Sequence, residues 1–141
     1  MVIDRRLAGA LAVLVVLSLI LGVTTGTSGR HLVQTVPALL ALAATVRRRP
    51  WASWAAMPVA VFWLVMTAVT GLAELGLVAP LGGPRSTIHL MLMGAIGLAA
   101  VAALAAAALW RSTATIVSRL GAFWAFGFLQ LGALWVSLRL L

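Results

Sequence analysis

The feature that most limits what this chain can fold into is the length of its apolar runs. No charged residue occurs from Leu7 to Val23, and further apolar runs cover 31–46, 51–78, 88–110 and 116–138. A helix crossing the hydrocarbon core of a bilayer needs roughly 20 apolar residues, with a working range of about 17–25. Backbone in lipid must satisfy its own hydrogen bonds, which leaves helices or closed barrels. These runs lack the two-residue alternation of a barrel strand. The expected fold class is therefore an all-α integral membrane protein, a bundle of five transmembrane helices forming one domain over residues 1–141.

Composition supports the same class. The chain is 64% hydrophobic and 9% charged, with a mean hydropathy of +1.17. A soluble domain of this size keeps too much surface in water to hide so many apolar side chains. The net charge of +8 rests on ten arginines against Asp4 and Glu74. The arginines punctuate the apolar runs and form no stripe, so nucleic acid is not an expected partner. The lack of cysteine excludes disulfides and thiolate metal sites.

The second run is the weak one. From Leu32 to Val46 it has 15 residues, or about 22 Å of helix against a core of about 30 Å. Either Arg30, His31 and part of the Thr24–Gly29 stretch belong to this helix, or it is re-entrant and four helices span. The first run, preceded by Arg5 and Arg6, resembles a signal peptide but lacks a small-residue cleavage site after it, and an uncleaved helix is expected.

Arginine placement orients the bundle. With the N-terminus inside, Arg5, Arg6, Arg47, Arg48, Arg49, Arg111 and Arg119 fall on the cytoplasmic side and Arg30, Arg85 and Arg139 on the other. Seven against three matches the positive-inside rule, and the expected topology is N-in and C-out. Trp51, Trp54 and Trp110 then mark the inner interface and Trp135 the outer one, whereas Trp63 and Trp124 read as packing residues. The expected location is the plasma (inner) membrane of a bacterium, as a multi-pass protein.

Few polar side chains remain to carry chemistry. His31, Glu74 and His89 all fall towards the outer face, about 24, 34 and 33 Å along their helices from the inner ends. An ionisable group at membrane depth is a functional candidate. Two imidazoles on facing helices suit axial ligation of haem b iron, and with Glu74 they form a two-His, one-carboxylate metal set. Gln34, one turn from His31, is the expected supporting hydrogen-bond partner. A polar pocket for a head group, a proton or a small substrate is the second reading, with Arg30 and Arg85 at its rim. The plain alternative places each of these residues at a helix end among lipid head groups. Gln130 is expected to bond between helices.

Arg47, Arg48 and Arg49 read as an orientation signal touching anionic lipid. Three charges fall short of the roughly four to eight of a strong lipid-binding cluster. No phosphate-binding loop, GxSxG, HExxH or CxxC occurs, and no enzymatic activity is expected. The reading that remains is a small non-enzymatic subunit or scaffold of a membrane complex, with a ligand site at the outer face. A b-type haem or metal protein of electron transfer and a small transporter or permease subunit are the alternatives. The expected partners are the lipid bilayer and other membrane subunits or further copies of the chain.

Overall fold

The computed structural model describes residues 4–78 and 86–139. Within them the chain forms five helices, α1 (Arg5–Thr24), α2 (Ser28–Val46), α3 (Ala52–Glu74), α4 (Thr87–Leu109) and α5 (Ile116–Arg139). Each lies on an expected apolar run. Four of them, α1, α3, α4 and α5, are long and apolar enough to cross a membrane. The protein is an all-helical bundle of polytopic membrane type.

The second helix differs from expectation at its start. It begins at Ser28, so Arg30 and His31 lie in its first turns and its 19 residues reach about 28 Å. Ser28, Arg30, His31, Gln34 and Thr35 make α2 the most polar helix. It packs on α1, α3 and α5, while α1 also packs on α4, and α3 on α4 and α5. The helices thus form a ring in the order α1, α4, α3, α5, α2, crossed by a contact between α2 and α3.

Helix ends follow local chemistry. Asp4 caps α1, its carboxylate accepting from the backbone N–H of Arg6 at 2.9 Å and Leu7 at 3.2 Å. This offsets the orphan donors of the first turn. The third helix stops at Glu74, short of the expected 78, although the sequence stays apolar through Val78. Gly76 at φ 71° explains the stop. The N–H of Gly76 bonds to Ala73 O and that of Leu77 to Leu72 O, a closing pattern that requires a left-handed residue.

The same pattern closes α2, with Arg48 N–H on Thr45 O and Arg49 N–H on Ala44 O. Here the left-handed residue is Arg48, at φ 56°. A side chain in that conformation costs roughly 1–2 kcal/mol. Arg48→Gly is therefore expected to raise unfolding stability in mild detergent by about 1 kcal/mol, read as a higher melting temperature.

Two layers fill the core. The layer near the arginine-bearing end is built from Leu7, Leu11, Ala41, Ala56, Ala60, Ala103, Ala106 and Ala107. The other layer carries larger groups, among them Leu14, Leu21, Val59, Trp63, Met93 and Ile96. Lipid tails are as apolar as these side chains, so close packing and hydrogen bonds hold the helices together. Small residues permit that closeness. A Cβ on Gly97 of α4 would stand 2.7 Å from Thr67 Cγ2 of α3. Thr67 Oγ1 donates to Trp63 O at 2.9 Å and reaches Met93 O of α4 at 3.3 Å.

The fifth helix buries only Gln130 and Ser137. Both bond to α2: Gln34 Nε2 donates to Ser137 Oγ at 2.7 Å, and Gln130 Nε2 donates to Gln34 O at 3.2 Å. Pro37 lacks an N–H, so it breaks the backbone ladder of α2 beside Gln34. Gln130 supplies an extra donor at that point, and the expected interhelical bond is present.

Ser53 lies in the first turn of α3, fully buried, and its hydroxyl has no hydrogen-bond partner among the described residues. Removing an unpaired buried hydroxyl at little cost in volume favours folding. Ser53→Ala is expected to stabilise the bundle by about 1 kcal/mol in thermal unfolding.

Candidate functional site

The histidine of α2 is drawn into the bundle by the geometry of the α1–α2 hairpin. The turn from Thr24 to Thr27 is tight, and Gly22 of α1 faces the start of α2. A Cβ at Gly22 would lie 2.7 Å from His31 Cβ and 3.2 Å from Ser28 Cα. Glycine at 22 is what lets the His31 side chain pass against α1. Its ring then stacks on Trp63 of α3, with centroids 6.3 Å apart and planes 19° from parallel.

Trp63 stands halfway along α3 and is 1% exposed. The half-buried His31 ring therefore lies beside the midpoint of α3. His89, in the first turn of α4, is close enough to interact electrostatically with it, as is Arg30. Ser86 Oγ caps α4 by accepting from His89 N–H at 3.2 Å, which fixes the backbone beneath that imidazole. Four helices thus contribute to the surroundings of His31: Gly22 from α1, Arg30 from α2 itself, Trp63 from α3 and His89 from α4.

Two polar atoms at this site lack partners. His31 Nδ1 and Trp63 Nε1 are both buried with no hydrogen bond among the described residues. Their chemistry is complementary. The indole N–H only donates, and Nδ1 accepts when the imidazole carries its proton on Nε2. Buried indole N–H groups normally find an acceptor. A group that accepts from Trp63 and donates to His31 would satisfy both atoms.

The other expected members fall elsewhere. Glu74 is the exposed last residue of α3, about 16 Å of helix beyond Trp63. Among the described residues, no three His, Cys, Asp or Glu side chains gather as a metal site. That goes against the set of His31, Glu74 and His89 as metal ligands. Gln34 turns to α5, where its amide nitrogen is spent on Ser137, so it serves helix association and not the imidazole of His31. Arg30 is half-buried, Arg47, Arg48 and Arg49 are exposed, and Arg85 lies outside the described residues. No family model, no curated protein and no solved structure matches the chain.

Sequence reasoning missed the partnership of His31 with Trp63 and Gly22. Trp63 read as a packing residue, and Gly22 lay inside the first apolar run. Gly26 takes the left-handed turn after α1, at φ 70°. A tight glycine-containing turn next to a histidine was the available signal.

Proposed function

We propose that this chain is a small non-enzymatic protein of the plasma membrane, a subunit or scaffold of a larger membrane complex, with a ligand site around His31. The observation that supports it is the unpaired His31 Nδ1 beside the unpaired Trp63 Nε1. Lipid offers these atoms no partner, and a buried polar group left unmatched is costly. A small ligand with one acceptor and one donor relieves both. A second reading, haem b bound between imidazoles, is favoured by the nearness of His31 and His89 alone.

An optical spectrum with metal analysis separates the two. The protein is purified in mild detergent from a haem-replete host, together with any membrane proteins that accompany it. A colourless, metal-free protein that brings down a stoichiometric membrane partner is the expected result. A Soret band with sharp reduced bands, absent from both His31→Ala and His89→Ala, overturns the scaffold reading and puts electron transfer in its place.

A further inference from the structure

Three arginines in a row looked too few for a lipid site, but the fold adds a fourth and fixes the group in place. Arg111 follows α4, at the same end of the bundle as the α2–α3 turn. The two segments are tied together: Ser112 Oγ donates to Pro50 O, and Ala114 N–H returns to Ser112 Oγ at 3.2 Å. Arg119 of α5 clamps the second segment, its guanidinium donating to Ala114 O at 2.8 Å and Ser112 O at 2.6 Å. Arg119 is thereby committed to the backbone. Arg47, Arg48, Arg49 and Arg111 are exposed.

Two further observations point to an anion. The N-terminus of α3, directly after these arginines, has no side-chain cap and no acidic residue in its first turn, so its positive dipole end is uncompensated. The carboxylate of Asp4 is already spent on capping α1.

We propose that the α2–α3 turn, with Arg111 beside it, binds the phosphodiester head group of an anionic phospholipid. Guanidinium groups match phosphate oxygens in paired hydrogen bonds. Trp51 and Trp110, flanking the arginines in sequence, suit the interfacial depth where such head groups lie. This site is independent of the reading of His31.

The test is native mass spectrometry of the full-length protein offered equal phosphatidylglycerol and phosphatidylcholine in detergent. Selective retention of phosphatidylglycerol, suppressed by added salt, is the expected result. Replacing all three residues, as Arg47→Gln, Arg48→Gln and Arg49→Gln together, should lower that retention by about tenfold or more, given the contribution of each basic residue near an anionic surface. Arg48→Gly guards against misfolding, because it suits the backbone and should still lower retention by about threefold to fivefold. Arg139→Gln, exposed at the opposite end of α5, should leave retention unchanged. Equal retention of the two lipids, or a preference that survives in both arginine variants, overturns the proposal. So does displacement of the lipid by inorganic phosphate at matched concentration, which would mark a site for free anions.

Discussion

Trp63→Ala is expected to cost the bundle about 3 kcal/mol, the low end of the range for removing a buried tryptophan. The low end applies because the unfolded helices stay in an apolar solvent, so the transfer part of the loss shrinks and the cavity part remains. Trp63 is among the largest fully buried side chains. It meets His31 face to face and Phe62 edge on, at a centroid distance of 5.5 Å. The measurement is reversible unfolding in mixed micelles, followed by circular dichroism. Trp63→Phe is the informative companion. It keeps most of the ring volume and removes the unpaired N–H, and the two effects should nearly cancel, to within about 1 kcal/mol. A phenylalanine variant as damaged as the alanine variant would mean that the indole N–H is bonded in the purified protein, and the unmatched pair would no longer be an argument for a ligand.

The second large effect belongs to the contact between α3 and α4. Gly97→Ala places a methyl group 2.7 Å from Thr67 Cγ2 and 3.3 Å from Thr67 Cβ. The branched side chain of Thr67 is held by its bond to Trp63 O, so the helices must part instead. A loss of about 2 kcal/mol is expected, typical of overpacking. Thr67→Ser removes the offending methyl and keeps the hydroxyl. The double variant should therefore recover about half of the loss, a coupling that a double-mutant cycle in the same unfolding assay reads directly. Additive single effects would show that the two helices meet less closely than this geometry requires.

Element placement was legible because it depends on length and apolarity, and the five apolar runs carry both. The start of α2 was less so, because Ser28, Gly29, Arg30 and His31 look like a loop when polarity is the only guide. The end of α3 overshot for the opposite reason: Leu75, Leu77 and Val78 extend the apolar run past the residue, Gly76, that closes the helix. Rotation about each helix axis was the hardest part. A helix that is apolar on every side gives no stripe from which to read the buried face. Gln34 lies one turn from His31 in sequence, yet it faces α5 while His31 faces α1 and α3. The sequence placed His31 and His89 towards one end of the bundle, but their approach depends on which way α2 and α4 are turned. The pairing of Ser112 with Pro50 spans 62 residues and leaves no local trace.

Helix lengths in this bundle are uneven. The α1–α2 hairpin has helices of 20 and 19 residues, while α3, α4 and α5 have 23, 23 and 24. Four residues amount to about 6 Å of rise. A bilayer thick enough for the long side stands too tall beside the short one, and such hydrophobic mismatch is relieved by local thinning or tilt. In a bilayer matched to α3, α4 and α5, thinning beside α1 and α2 would bring the interface closer to Arg30 and His31, both half-buried.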